Sequence, residues 1–356
     1  MIEVQGLTVR YPEADGLRGM DLSIGRGEFV LIGGPSGGGK STLAHVLMGL
    51  IPETIPAQVT GAVTVAGIDP QRRRVAQVAR RVGLVFQNPV SQLFNATVAE
   101  EVAFGLRNLA FAPDAIAKRM AWALEATGCR HLRDRAVRRL SSGEKQRVAI
   151  AATLAMRPSV IILDEPTANL DDEGVRTLVQ TLAWLRQRAE VTLLVVEHRL
   201  EPFLFQADRL VWLADGEVRA QGEPVETWSQ VRPAFSMPPC SPSPGDDLLV
   251  EMRDVAAGYD RSPVLEGCSM ALRRGDFAAL IGPNGAGKTT LARVLAGLLK
   301  PRRGRVLWYA KDLSRRGRRV GLLQQNPLHQ LVCDTVEEEV SFGPRNVGAM
   351  ETVDLA

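Results

Sequence analysis

The sequence predicts an α/β protein built on a mainly parallel sheet, and three observations carry that expectation. First, the runs "GEFVLIGG" (27–34), "SVIILDEP" (159–166) and "VTLLVVEH" (191–198) are of strand length and nearly all apolar. Runs without polar alternation suit a parallel sheet covered on both faces. Second, these runs end in glycine, carboxylate or histidine, at the edge where such sheets bind ligands. Third, the pattern recurs: residues 7–42 parallel 255–290, and 82–108 parallel 320–346, in the same order and at close to the same spacing. A period this long is the duplication of a domain rather than a short solenoid repeat.

The first strand run leads into "GPSGGGKS" (34–41), which fits G-x-x-x-x-G-K-[ST], and "KSTLAHVLMGLI" (40–51) follows with apolar residues at helical spacing. Strand before and helix after are the context this phosphate loop requires. Gly34, Pro35, Ser36, Gly37, Gly38 and Gly39 would let backbone N–H groups wrap a phosphate without Cβ clashes. The helix N-terminus, with Lys40, Ser41 and Thr42, adds its positive dipole. Lys40 is expected to place a point charge on the β- and γ-phosphates, and Ser41 to supply a hydroxyl to Mg²⁺. In "VIILDEPT" (160–167), Asp164 is the candidate Mg²⁺ ligand and Glu165 the candidate that polarises an attacking water. Such general-base help is worth about 10²–10⁴-fold. "LSSGEKQR" (140–147) places Ser141, Ser142 and Gly143 ahead of a helix and predicts a second anion-binding N-terminus. One phosphate does not need two such sites from one domain, so this one is expected to face another domain's nucleotide.

Between the copies, "VRPAFSMPPCSPSPGDD" (231–247) is rich in proline and serine and reads as a short, stiff linker. The expected organisation is a complete domain over 1–230, the linker over 231–247, and the N-terminal part of a second domain over 248–356. The second copy repeats the phosphate loop as "GPNGAGKT" (282–289). There Gly282, Pro283, Asn284, Gly285, Ala286, Gly287, Lys288, Thr289 and Thr290 match the first set, with Thr289 in the Mg²⁺ role of Ser41. Tyr259 matches Tyr11, and Gln325 matches Gln87. No counterpart of "LSSGE", Asp164–Glu165 or His198 follows before Ala356. The second copy is therefore expected to be incomplete, with no complete site forming inside one chain. The strand ending at Asp164 is expected to pair beside the phosphate-loop strand. Without it, "FAALIG" (277–282) would be an exposed apolar edge, and 248–356 is expected to be marginally stable.

Composition excludes several classes. With 43 basic and 40 acidic residues, a net charge of +3 is too even to predict nucleic-acid binding. The arginine clusters at 72–74 and 315–319 read as solvated loops, with an anionic membrane surface as the alternative partner. No apolar run approaches the roughly 18–20 residues of a membrane span. The opening "MIEVQGLTVRYPEADG" carries acidic residues and no apolar centre, so no leader peptide is expected. Cys129, Cys240, Cys268 and Cys333 are scattered without metal-type spacing and read as reduced thiols of a cytosolic protein.

Taken together, the motifs of residues 1–230 resemble an ABC-type ATPase subunit. The P-loop, Gln87 after a strand, the signature "LSSGE", the Walker B run, "ANLD" (168–171) and His198 after the last strand occur in that family's order. The resemblance implies a P-loop NTPase fold with an antiparallel β-subdomain and an α-helical subdomain, using ATP and Mg²⁺. It places Gln87 among the catalytic and metal-binding residues, beside Lys40 and Glu165, and His198 on the γ-phosphate. Tyr11 falls where the family stacks an aromatic ring on adenine; a tyrosine packed in the core is the other reading. The resemblance further implies two domains sandwiching two nucleotides, each P-loop facing the other domain's signature. Pairing of two 1–230 domains from separate chains would supply two complete sites.

A finer resemblance lies in "FQNPVSQLFNATVAEEVAFGLRN" (86–108), "QNPLHQLVCDTVEEEVSFGPRN" (325–346) and "EHRLE" (197–201). These are similar to energy-coupling-factor ATPases, which energise uptake of vitamins, their precursors, and cobalt or nickel. That likeness implies a transmembrane coupling protein and a substrate-binding membrane protein as partners. It also implies a peripheral position on the cytoplasmic face of the bacterial cell membrane, and no nucleic acid. Ser142 stands where the common signature has glycine, and Arg199 where many members have aspartate. The alternative is a soluble twin-ABC ATPase acting on ribosomes or nucleic acid, whose linkers are usually longer, charged and helical.

Overall fold

The computed structural model of the chain describes residues 1–168, 170–189, 191–232, 247–259, 262–309, 320–324 and 330–347. Two compact units divide the chain, Met1–Phe235 and Ser236–Ala356.

In the first unit the strands are β1 (Ile2–Arg10), β2 (Asp15–Ile24), β3 (Phe29–Gly33), β4 (Gln58–Val65), β5 (Val82–Val85), β6 (Val160–Asp164), β7 (Thr192–Val196), β8 (Arg209–Ala214) and β9 (Glu217–Gly222). The helices are α1 (Lys40–Met48), α2 (Leu50–Glu53), α3 (Val75–Val78), α4 (Val98–Asn108), α5 (Pro113–Ala126), α6 (Ser142–Ala155), α7 (Asp172–Ala189) and α8 (Pro224–Val231). Six strands form one sheet in the order β5-β6-β7-β3-β8-β9, parallel except for the β8–β9 hairpin. β2-β1-β4 form a separate antiparallel sheet.

The apolar runs are explained by what lies on each face of the large sheet. Side chains alternate along a strand. Phe29, Leu31, Ile161, Leu163, Leu193 and Val195 enter a core shared with α4, α5, α6 and α7. Their neighbours Val30, Ile32, Val160, Ile162, Leu194 and Val196 enter a second core with α1 and the antiparallel sheet. Both faces are buried, so neither set can be polar. β1 faces water on one side and alternates buried and exposed residues over much of its length. The helix starts carry their own signals. α4 opens with a capping box in which Thr97 and Glu100 exchange hydrogen bonds with each other's backbone N–H.

Two expectations about topology are corrected. β7 lies between the phosphate-loop strand β3 and the Walker B strand β6, so these two are not neighbours. The strand before His198 is also not the last, because β8 and β9 follow it, β8 pairing parallel to β3 on the other side. Order across a parallel sheet is set by crossovers and their helices, which local apolar patterns do not encode.

The second unit contains β10 (Leu248–Tyr259), β11 (Ser262–Arg273), β12 (Arg303–Trp308), α9 (Lys288–Leu295) and α10 (Val336–Val347). Its sheet order, β11-β10-β12, repeats that of β2-β1-β4. Its core is a small cluster: Met252, Val255, Ala257 and Leu265 from the sheet, with Leu291 and Val294 from α9. "FAALIG" does not form the expected edge strand, because residues 277–281 have no strand conformation at all. Phe277 is 95% exposed and Ile281 89%. A strand needs a neighbour to satisfy its backbone and cover its side chains, and none is placed beside this segment among the described residues. Burying such side chains contributes about 1.5–3 kcal/mol each, a gain forgone here. Limited proteolysis of the full chain should therefore cut within the second unit before the first. Loss of 1–230 while 248–347 stayed intact would contradict that ranking.

Candidate active site

The first phosphate loop is shaped by two glycines that no other residue can replace without movement. Gly34 has φ 147°, and a Cβ there would lie 1.9 Å from the carbonyl oxygen of Leu213. Gly39 has φ 97°, with a Cβ position 2.6 Å from the Gly16 oxygen. Gly39 is also the N-cap of α1 and offers no side chain to its first turn. The orphan N–H groups of that turn therefore remain available to an anion. Lys40 is 4% exposed, and its Nζ donates to the oxygens of Gly34 at 2.9 Å and Pro35 at 2.8 Å. Burial lowers its pKa, opposed by the charges of Glu165, Asp164 and Glu197. Ser36 and Gly37 lie exposed at the loop's tip.

Ser41 Oγ lies 3.3 Å from Asp164 Oδ1. Asp164 is 7% exposed, and burial raises its pKa. A hydroxyl and a carboxylate, both oxygen donors, suit Mg²⁺, which takes one or two protein ligands and completes its shell with water and phosphate. A Cβ-free cradle next to this oxygen pair thus fits a magnesium-bound nucleoside triphosphate.

Glu165 follows β6 with φ 44°, a left-handed conformation that is uncommon outside glycine. Its N–H donates to Val196 O at 2.8 Å, which ties it to the end of β7. Its carboxylate joins two other candidates: Gln87 Nε2 donates to Oε2 at 2.7 Å, and His198 Nε2 lies 3.0 Å from Oε1. Gln87 follows β5, Glu165 follows β6, His198 follows β7, and Lys40 follows the loop after β3. Four adjacent strands thus deliver these side chains to one end of the sheet.

The remaining candidates are placed as follows. The Tyr11 hydroxyl lies 3.1 Å from Thr42 Oγ1, and its half-buried ring packs against the core behind α1. Ser141 is the N-cap of α6: its Oγ accepts from Glu144 N at 3.3 Å, while its own N–H donates to Glu144 Oε2 at 2.7 Å. Ser142 and Gly143 form the first turn of that helix, and Arg135 Nη1 holds Glu144 Oε1 at 3.0 Å. Arg199 Nη2 lies 3.5 Å from Asp172 Oδ1 at the start of α7.

In the second unit, Lys288 Nζ repeats the pattern of Lys40, donating to Gly282 O at 2.6 Å and Pro283 O at 2.8 Å. Gly282, Pro283, Asn284, Gly285 and Ala286 are exposed, Gly287 is the N-cap of α9, and Lys288, Thr289 and Thr290 open that helix. Tyr259 is exposed, and its hydroxyl accepts from Arg293 Nη1 at 2.7 Å. Gln325 lies outside the described residues.

Three structural roles are not read from the sequence. Gln92 accepts from Phe86 N at 3.2 Å and donates to Leu84 O at 3.1 Å, bracing the segment that carries Gln87. Gln330 makes the same pair of bonds to Gln324 N and Leu322 O, both at distances below 3 Å. Buried Glu101 accepts from the N–H groups of Phe94 and Asn95, and Glu339 does the same for Val332 and Cys333. Recurrence of Q-x₈-E at the same place in both copies is the signal that marks them. The third is Glu197, whose side chain gives no such signal.

The fold and this set of groups define an α/β nucleoside-triphosphatase with a glycine-rich phosphate loop. The ABC transporter family model matches residues 17–168 and 265–354. A protein of Methanosarcina acetivorans, provisionally described as an ABC transporter ATP-binding protein, is 34% identical over 98% of this chain and 68% of its own length. One of Caldanaerobacter subterraneus subsp. tengcongensis with the same provisional description is 34% identical over 98% of this chain and 72% of its own. Among solved structures, cbiO1 of Clostridium perfringens, described as part of the ABC transporter complex cbiONQ, is similar with a TM-score of 0.59 and 35% identity. It covers 64% of this chain and 90% of its own. The ATP-binding cassette MJ0796, a dimer bound to ADP and Pi, is similar with a TM-score of 0.55 and 29% identity over 63% of this chain and 98% of its own. The chain belongs to the ABC transporter ATP-binding family, whose members hydrolyse ATP with Mg²⁺.

Proposed function

We propose that this ATPase energises an energy-coupling-factor importer of a vitamin, a vitamin precursor or a transition-metal ion. The observation that carries the catalytic part is the convergence of Lys40, Ser41, Asp164, Glu165, Gln87 and His198 at one end of the sheet. In this reading Glu165 takes the proton of the attacking water, with Gln87 and His198 holding its carboxylate in place and His198 also reaching the γ-phosphate. Lys40 and the amides of the loop bind the phosphates, and Ser41 and Asp164 hold the metal. Mg²⁺, when bound, neutralises charge that develops on the phosphates.

The importer class is supported by the Gln92 and Gln330 braces and by the similarity to cbiO1, itself part of a transporter complex. The relatives reported above are transporter components by description, which favours transport over action on ribosomes or nucleic acid. No helix among the described residues is long and apolar enough to cross a membrane. In this reading the chain sits at the cytoplasmic face of a membrane, held there by a transmembrane coupling protein. Phe86, Val90, Phe94 and Phe104, grouped around the segment that carries Gln87, are each more than a third exposed. Phe94 and Phe104 stack edge to face at 4.7 Å. They would offer the coupling protein an apolar contact next to the site it regulates.

The two units are read as a complete nucleotide-binding domain, 1–230, and the N-terminal part of a second, 248–356, with the linker 231–247 between them. The signature residues Ser141, Ser142 and Gly143 would face the P-loop of a partner domain, and two 1–230 domains from separate chains would satisfy this symmetrically. ATPase activity of the purified chain should then rise more than linearly with protein concentration. A rate strictly proportional to concentration over two decades would overturn the pairing. Co-purification with a membrane protein supports the importer reading, and co-purification with ribosomes would displace it.

A further inference from the structure

We propose that Glu197 is a positioning residue that fixes the loop carrying Glu165 against the loop carrying His198. It rests on the reading that those two residues act in hydrolysis.

Glu197 stands directly after the wholly buried strand β7 and is itself only 3% exposed. An ionised carboxylate is costly to bury unless its oxygens are fully hydrogen-bonded. Here both oxygens are satisfied, and by two different loops. Oε2 accepts from Thr167 N at 3.2 Å and Thr167 Oγ1 at 2.6 Å. Oε1 accepts from His198 N at 2.7 Å and Arg199 N at 3.2 Å. Thr167, 2% exposed, is two residues beyond Glu165; His198 is the next residue in the chain. The backbone N–H of Glu197 donates to Ile32 O at 3.0 Å, which anchors the whole group to the end of the phosphate-loop strand.

One carboxylate therefore spans the C-terminal ends of β6 and β7. Beyond the β6–β7 ladder, Glu165 N also donates to Val196 O across this gap. The Glu165–His198 contact, 3.0 Å between Oε1 and Nε2, depends on how these two loops sit. The negative charge also lies near enough to Lys40 to favour its protonated form, behind Glu165 and Asp164.

Substitutions separate positioning from bulk stability. Glu197→Ala leaves four donors without their acceptor. Glu197→Gln keeps the length: its oxygen can accept from His198 and Arg199 N–H, and its amide can donate to Thr167 Oγ1. Only the Thr167 N–H bond is lost.

The test measures kcat, KM for ATP and equilibrium MgATP binding on the full chain for wild type, Glu197→Gln, Glu197→Ala, His198→Ala and the Glu197→Ala/His198→Ala pair, with Glu165→Gln as control. Misplacement of reacting groups by about 1 Å costs about 10²-fold. The expected result is a kcat lowered by that order in Glu197→Ala, per mole of nucleotide bound and with KM changed by less than about threefold. Glu197→Gln should recover most of the loss, and the alanine pair should be no slower than His198→Ala alone. The proposal is overturned if Glu197→Ala keeps its kcat, if its loss merely follows loss of binding, if Gln is no better than Ala, or if the two alanine effects multiply. Should Glu165→Gln hydrolyse ATP normally, the reading of the site fails and takes the proposal with it. Should Glu165→Gln be inactive while Glu197→Ala is active, the proposal fails alone.

Discussion

Lys40→Ala is expected to abolish measurable ATP hydrolysis, and Lys288→Ala to leave most of it. The two lysines make matching bonds to their own loops: Lys40 to the oxygens of Gly34 and Pro35, Lys288 to those of Gly282 and Pro283. Their surroundings differ. Lys40 is 4% exposed and feels Glu165, Asp164 and Glu197. Its loop is framed by strands on both sides, since β3 pairs with β7 and β8. Lys288 is half-buried, and its loop is preceded by the exposed segment 277–281. A preorganised donor aimed at developing charge is worth about 10²–10³-fold in kcat, more where water is excluded. Lys40→Ala removes both that charge and the side chain that closes the loop on itself. Steady-state ATPase rates of the two variants, with nucleotide binding measured alongside, check this. An equal loss in Lys288→Ala would overturn the assignment of the first loop as the one that supports turnover.

How far this site is legible in the sequence depends on the range of the interaction involved. The phosphate loop is legible because its demands are local: glycines where a Cβ would strike Leu213 or Gly16, then a lysine and a hydroxyl on the first turn of a helix. The strand runs are legible because burial of both faces forbids polar residues along β3, β6 and β7. Sheet order is not, because nothing within "VTLLVVEH" says that it inserts between the other two. "FAALIG" has the composition of a strand, yet takes no strand conformation over 277–281; strand formation is a property of pairs. Glu197 is the sharpest case. In sequence, Glu197 stands only as part of "VTLLVVEH" and "EHRLE", with no role of its own. Two of its donors, His198 N and Arg199 N, are its own neighbours, but its burial and its two bonds from Thr167 exist only once the loops after β6 and β7 are brought side by side. Ser141 is intermediate. The sequence marks it as the start of a helix, and the structure adds that its hydroxyl caps that helix together with Glu144.

Glu165→Gln is expected to lower kcat by about 10²–10⁴-fold, the range for loss of a general base, while MgATP binding is retained. The geometry around Glu165 separates these two effects. Its carboxylate accepts from Gln87 Nε2 at 2.7 Å and faces His198 Nε2 at 3.0 Å. A glutamine of the same length can accept from Gln87 through its oxygen and donate to His198 through its amide, so both neighbours keep a partner. The left-handed backbone at φ 44° is no harder for glutamine than for glutamate, and the N–H bond to Val196 O is untouched. Lys40 loses the charge that most favours its protonated form, but Asp164 and Glu197 remain to oppose the effect of burial. What disappears is the capacity to take a proton from water. The variant should thus bind nucleotide as wild type does and turn it over in single-turnover assays at a small fraction of the rate. A kcat within about threefold of wild type would remove Glu165 as the base, because base catalysis contributes at least about 10²-fold. A matching loss of binding would instead mean that Glu165 acts mainly by holding Lys40 charged. Adding Lys40→Ala to the variant distinguishes that case, since binding would then fall no further.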